Sequence, residues 1–195
     1  LVQYEKEKRA VIENNEETEN PLPLQKEQLK AVQEIENSTD EVFLLKGVTG
    51  SGKTEVYFHL AQDVLDEGRQ VLIMVPEISL TPQMIHRVKK RFGSRVAVYH
   101  SGLNNQEKYE QYQLIKEEKV SIVVGTRSSV FMPFSSLGLI IMDEEHDSSY
   151  KQENQPSYHT RDIAIYRGHY NHARVILGSA TPSLDSYARS GKGVY

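Results

Sequence analysis

Gly47-Val48-Thr49-Gly50-Ser51-Gly52-Lys53-Thr54 follows the apolar run Val42-Phe43-Leu44-Leu45, and a helix-compatible segment, Thr54–Glu67, follows it in turn. This is the pattern G-x-x-x-x-G-K-[ST] in a strand–loop–helix setting. Its glycines let the backbone wrap closely and aim N–H groups at phosphate oxygens, because a residue without Cβ adopts the required dihedrals cheaply. The helix that follows adds the positive end of its dipole. Lys53 has the reach for β- and γ-phosphates, and the Thr54 hydroxyl suits Mg²⁺. The stretch therefore implies binding of a nucleoside triphosphate through the loop residues Gly47 to Thr54.

Working outward, short β-rich runs alternate with helix-length polar segments. The strand candidates are Val42–Lys46, Val71–Val75, Val96–Tyr99, Ser121–Val124, Leu139–Met142 and Val175–Leu177. Between them lie the helix candidates Thr54–Glu67, Thr81–Phe92, Asn104–Glu118 and Thr160–Asn171, preceded by Leu24–Ile35 with apolar positions Leu24, Leu29, Val32 and Ile35. Several strands are apolar at consecutive positions, as strands covered on both faces are. The alternation predicts an α/β fold with a mostly parallel sheet and helices on both sides.

Composition narrows the partners. The 195 residues carry a net charge of −4, so any nucleic acid must be met by a local basic face and not by a global field. There are no cysteines, which rules out disulfides and thiolate metal sites within this stretch and points to a reducing, cytoplasmic setting. No apolar run approaches membrane-spanning length. Residues 1–20, with Glu13, Glu16, Glu17 and Glu19 crowded together, read as an acidic linker or the end of a preceding domain. Pro21 and Pro23 then punctuate the entry to one domain over residues 21–195. A start at Leu1 and a stop in mid-pattern at Tyr195 lead us to expect a piece of a longer protein.

A second element supports the first. Leu139-Ile140-Ile141-Met142 runs into Asp143-Glu144-Glu145-His146. A buried strand ending in acids is what a nucleotide site needs opposite its phosphate loop: Asp143 to hold Mg²⁺, Glu144 to orient or deprotonate the attacking water. His146 reads either as a solvated loop residue or as a link from the acids to Gly178-Ser179-Ala180-Thr181. There Ser179 and Thr181 suit both that link and a hydroxyl turn capping a helix near Pro182.

The ordered set Gly47–Thr54, Asp143–His146 and Ser179–Thr181 resembles the first, RecA-like motor lobe of superfamily 2 helicases. Pro76–Gln83 (P-E-I-S-L-T-P-Q), Gly125–Phe131 (G-T-R-S-S-V-F), Asp143–Gln152 (D-E-E-H-D-S-S-Y-K-Q) and Gly178–Ser183 (G-S-A-T-P-S) resemble, more narrowly, the PriA (primosomal protein N′) family of replication-restart helicases. That resemblance implies a RecA-like P-loop NTPase fold, ATP and Mg²⁺ as cofactors, and an ATP-dependent 3′-to-5′ DNA helicase of replication restart. Its partners would be single-stranded and forked DNA, with primosome and single-strand-binding proteins met by the full-length protein. It also implies a second lobe, absent from this chain, that supplies an arginine. Gln28 matches the glutamine that reads the adenine edge. Ser79, Thr81, Thr126, Arg127 and Ser128 match loops touching the backbone of single-stranded DNA. Asp147–Arg161 resembles an aromatic-rich loop in which Tyr150, Lys151 and Tyr158 would meet unpaired bases, with exposed rings stacking on them. Read without the family, Gln28 is a solvated helix residue, whereas the aromatic content of Asp147–Arg161 and its place straight after the acids favour coupling to DNA over a polar surface loop with incidental tyrosines. The basic run His86–Arg91 is expected to be a solvated helix face.

Overall fold

The computed structural model describes residues 18–48 and 50–181. Its centre is a six-stranded, wholly parallel sheet. In chain order the strands are β1 (Val42–Lys46), β2 (Gln70–Met74), β3 (Val96–Tyr99), β4 (Ile122–Gly125), β5 (Leu137–Met142) and, after two short strands described below, β8 (Arg174–Ser179). Side by side they run β1-β8-β5-β2-β4-β3. Among the described residues, α1 (Lys26–Asn37) precedes the sheet, and α2 (Lys53–Asp66), α3 (Pro82–Phe92), α4 (Asn105–Lys116) and α5 (Thr160–Asn171) lie between its strands.

Strand alternation decides which helix covers which face. Val71, Ile73, Val75, Ile122, Val124, Leu139 and Ile141 point to one side, where α1 contributes Val32 and Ile35, α2 contributes Val56 to Leu65, and α3 contributes Val88 and Phe92. Leu72, Met74, Val123, Ile140 and Met142 point to the other, under Ile115 of α4 and Ala164 of α5. Central β2 and β5 are buried along their whole length, while the edge strands β1 and β3 are only partly covered. This is why β2 and β5 read as unbroken apolar runs. One expected core position fails: Leu29 is 46 % exposed, since the stripe of α1 that meets α2 is set by Val32 and Ile35.

Element ends follow local chemistry. Thr81 caps α3, its Oγ1 accepting from Met84 N at 3.2 Å, with Pro82 at the first helical position. Asn104 and Glu107 form a reciprocal box at the start of α4. The buried Gln70 amide satisfies four backbone groups, donating to Ile115 O and Val120 O and accepting from Ser135 N and Ser136 N. It thereby fixes the turn that feeds β5. Because all six strands are parallel, the loops after β1, β2, β4, β5 and β8 gather at one edge of the sheet, where open α/β sheets bind ligands. Residues 1–17 of the expected acidic leader, Thr49 of the loop, and Pro182 and Ser183 after the third motif lie outside the described residues.

Candidate functional site

The phosphate loop leaves β1 at Gly47 and enters α2 at Lys53. Gly52 sits at φ 81° with its Cα close under Gln28: a Cβ there would lie 2.1 Å from Gln28 Nε2. Only glycine meets both demands. Gln28 in turn donates through Nε2 to Gly52 O at 3.3 Å and Ser51 O at 3.4 Å, while its Oε1 accepts from Gln25 N. It is half-buried, a member of the α1 capping box leaning on the loop and not a freely solvated side chain. Gly47 N donates to Ser179 O at 3.1 Å, tying the loop to the end of β8. Val48 and Ser51 are exposed on the loop, with Gly50 at φ 81° between them.

Lys53 joins the two halves of the site. Its Nζ donates to Gly47 O at 2.6 Å and Val48 O at 3.4 Å, and it lies 3.9 Å from Glu144 Oε1. Loop and acids thus face one another across a single gap. Thr54, one residue on, is half-buried, and its hydroxyl makes no hydrogen bond among the described residues. Asp143 directly follows β5, and its Oδ1 accepts from the Tyr57 hydroxyl at 2.8 Å. Burial holds the Asp143 carboxyl above the usual aspartate value. Donation from Tyr57 pulls it down, the Glu144 charge pushes it up, and Lys53 lowers it again. A partly buried carboxylate beside a second acid, together with the unengaged Thr54 hydroxyl at the start of α2, offers hard oxygen donors. They fit Mg²⁺, which keeps most of its waters and phosphate oxygens and takes few protein ligands.

Glu144 adopts φ 47°, an uncommon backbone for a side chain with Cβ. His146 Nδ1 and Ser179 Oγ share a hydrogen bond at 2.7 Å, and Nδ1 lies 3.7 Å from Glu144 Oε2. Ser179, fully buried, also accepts from Thr181 N at 3.1 Å. The link and the turn meet in one side chain, while the helix expected near Pro182 lies outside the described residues.

The loop after β5 departs from expectation. Tyr150 is 0 % exposed; its hydroxyl donates to Asp143 O at 2.7 Å, and its carbonyl accepts from Thr160 Oγ1. The ring is packed among Met142, Val130 and Ala164, so it presents no face to a base. Apolar packing outweighs exposure because the ring is the large side chain that fills this part of the second core. Two two-residue strands, β6 (Lys151–Gln152) and β7 (Tyr158–His159), pair antiparallel where a plain loop was expected. Lys151 is exposed at the start of this hairpin, and Tyr158 packs edge-to-face on the exposed Phe131, with ring centres 5.2 Å apart. His159 caps α5, accepting from Arg161 N, and burial holds its pKa below the usual histidine value.

Among the other predicted contacts, Thr126 is 2 % exposed, packed inside the turn after β4, and so is not available to a phosphate. Thr81 is half-buried with its hydroxyl engaged as the α3 cap. Arg127 Nη1 donates to Lys151 O at 2.6 Å, bracing the turn against the hairpin, while Ser79 and Ser128 are half-buried at the same edge. The basic run on α3 is not uniformly solvated. Arg91 is buried 3.9 Å from Glu55 of α2, and Arg87 lies 3.7 Å from the same carboxylate. Sequence reasoning missed two further residues. Tyr57 stands at i+4 from Lys53, a spacing that could have flagged it. Glu145 is 1 % exposed and paired with buried Arg161 at 3.7 Å; nothing local marked it, because its partner lies sixteen residues on.

The strand-ended phosphate loop faces paired acids, and a histidine–serine pair ties those acids to the neighbouring strand. A family model described as DEAD/DEAH box helicase matches residues 25–190, and the chain belongs to that family. It is 55% identical over 179 residues to the replication restart protein PriA of Bacillus subtilis (strain 168), covering 90% of this chain and 22% of that protein. With PriA of Rickettsia prowazekii (strain Madrid E) it shares 49% over 165 residues, covering 85% of this chain and 26% of the relative. The chain thus spans about a quarter of the length of these relatives. Among solved structures, RecG bound to a three-way DNA junction aligns with TM-score 0.64 and 27% identity over 97% of this chain and 24% of its own. The UvsW helicase from bacteriophage T4 aligns with TM-score 0.57 and 22% identity over 91% of this chain and 60% of its own, a likeness of fold. The RecA-like fold and the resemblance to replication-restart helicases are thereby borne out.

Proposed function

We propose that residues 21–195 form the first motor lobe of a DNA-dependent ATPase and 3′-to-5′ helicase acting in replication restart and primosome assembly in the cytoplasm, with residues 1–20 leading in from a preceding domain. The observation that carries this reading is the 3.9 Å approach of Lys53 Nζ to Glu144 Oε1, which brings phosphate loop and acids to one gap.

In this reading ATP is hydrolysed by in-line attack of water. Lys53 exchanges its bonds to the carbonyls of Gly47 and Val48 for phosphate oxygens. The amides of Gly50, Ser51 and Gly52, with Thr49, cradle the phosphates, and Gln28 meets the adenine edge from α1. Thr54 and Asp143 would hold Mg²⁺, which would supply charge neutralisation at the phosphates. Glu144 orients the water, and His146 with Ser179 carries the state of the acids to the end of β8 and Thr181. Single-stranded or forked DNA crosses the same sheet edge, against Ser79, Thr81, Arg127, Ser128, Lys151 and Tyr158. Tyr150 and Thr126 serve from inside, holding the loops that make those contacts. A second lobe completes the motor with an arginine worth roughly 10³–10⁵ in rate. This chain by itself therefore binds ATP or ADP weakly to moderately, hydrolyses slowly, and does not separate strands.

Phosphate release measured with and without an oligonucleotide tests this. The expected result is slow turnover with little stimulation from this chain, and DNA-stimulated turnover with strand displacement from the long protein. Fast, DNA-stimulated turnover from this chain alone would refute the requirement for a second lobe. Failure to bind nucleotide at all would refute the site.

A further inference from the structure

Two features around Asp143 remain unexplained by the nucleotide-binding reading on which this inference rests: a buried tyrosine hydroxyl aimed at its carboxylate, and a glycine beside it in an otherwise fully packed strand. Tyr57 lies four residues after Lys53, one turn along α2, so both project to the same face of that helix. Lys53 reaches the phosphate side of the gap. Tyr57, 1 % exposed, passes beneath it toward the ends of β5 and β8. Its hydroxyl donates to Asp143 Oδ1 at 2.8 Å. A Cβ on Gly178 would fall 1.7 Å from that hydroxyl oxygen and 2.9 Å from the ring carbon that bears it. Gly178 is the next-to-last residue of β8, the strand that lies between β1 and β5, and its φ is not positive. Its lack of a side chain serves space, not conformation.

We propose that Tyr57 is a positioning residue that sets the orientation of the Asp143 carboxylate toward nucleotide-bound Mg²⁺, and that position 178 is glycine because the Tyr57 hydroxyl occupies the volume of a side chain there. The chemistry favours a tyrosine. Burial, then the Asp143 and Glu144 charges, keep the phenol protonated well above its usual range, so it remains a donor under all working conditions. Donation to a carboxylate is a charge-assisted bond, strong enough to hold one rotamer. Outer partners of this kind orient metal-facing carboxylates, and their removal typically weakens metal affinity by about 10–100-fold. Without the hydroxyl, the carboxylate can turn toward the positive field of Lys53, competing with the cation for the same oxygen.

The test needs no turnover. A fluorescent ADP analogue is bound to this chain while Mg²⁺ is titrated, for wild type, Tyr57→Phe and Gly178→Ala. Tyr57→Phe removes one oxygen and keeps the ring, so the expected result is nucleotide affinity in EDTA within about twofold of wild type, with the half-saturating Mg²⁺ concentration raised roughly tenfold. Gly178→Ala displaces the hydroxyl and shifts Mg²⁺ dependence in the same direction; if it unfolds, Tyr57→Phe still decides. A Tyr57→Phe protein with a lowered melting temperature but a wild-type Mg²⁺ response overturns the proposal, leaving Tyr57 a purely structural residue. A wild-type chain whose nucleotide binding ignores Mg²⁺ overturns the parent reading and this one with it.

Discussion

Tyr150→Ala separates two roles for the loop that follows the acids. A ring that stacks on DNA is exposed, and its removal weakens DNA binding while leaving the fold alone. The ring here is 0 % exposed, and its hydroxyl donates to Asp143 O. Truncating a fully buried aromatic ring typically costs about 3–5 kcal/mol, from lost burial plus the cavity left behind. With a urea slope of roughly 2 kcal/mol per molar for a domain of this size, the midpoint should fall by about 1.5–2.5 M. Tyr150→Phe keeps the packing and leaves Asp143 O without its donor, a loss of about 1–3 kcal/mol. The chain has no tryptophan, so far-ultraviolet circular dichroism is the suitable probe. The expected order of midpoints is wild type, then Phe, then Ala, with single-strand affinity altered only where the fold is. A Tyr150→Ala protein with a wild-type midpoint and a several-fold weaker affinity for an oligonucleotide would refute the buried-anchor assignment.

Lys53→Ala should abolish measurable nucleotide binding by equilibrium fluorescence while leaving the midpoint of unfolding within about 1 kcal/mol, since the partly exposed lysine makes only bonds to loop carbonyls and a distant ion pair. Arg161→Ala should destabilise the lobe by about 3–5 kcal/mol in urea, because it leaves Glu145 as a buried charge without its cation. Asp147→Ala should cost roughly 0.5–2 kcal/mol at neutral pH through loss of the bond to Ser149 N. The Ser149 side-chain and backbone bonds hold the Asp147 carboxyl below its usual value, so its contribution is present above the unfolded pKa of 3.8 and is lost as pH falls through the lowered folded value. Thermal melts at pH 7 and pH 3 should therefore show the gap between Asp147→Ala and wild type closing in acid; a constant gap would exclude this origin.

Much of the architecture was legible because parallel strands covered on both faces must be apolar at successive positions, and their bounds fell within a few residues of those observed. The phosphate loop was legible because its function resides in backbone geometry that only a local run of glycines can provide. Tyr150 was misjudged for the opposite reason. A tyrosine between polar neighbours looks the same whether its ring faces water or a core assembled from β5, α5 and the turn after β4. Thr126 was misjudged likewise, its hydroxyl being enclosed by a turn that composition does not reveal. Leu29 erred in the other direction: helical spacing locates an apolar stripe, but the width of that stripe depends on how α1 crosses α2.

By itself the sequence determined the phosphate loop, the acids at a strand end, the α/β class and the family, since each of these is written in contiguous residues with local dihedral or burial requirements. Only the tertiary structure decided that Lys53 meets Glu144, that His146 meets Ser179, that Tyr57 and Tyr150 hold opposite ends of Asp143, and that Gly178 is small to admit a hydroxyl. These contacts join residues from 7 to 121 positions apart. Their existence depends on strand order and on which face each helix covers, and neither is encoded at any single place along the chain.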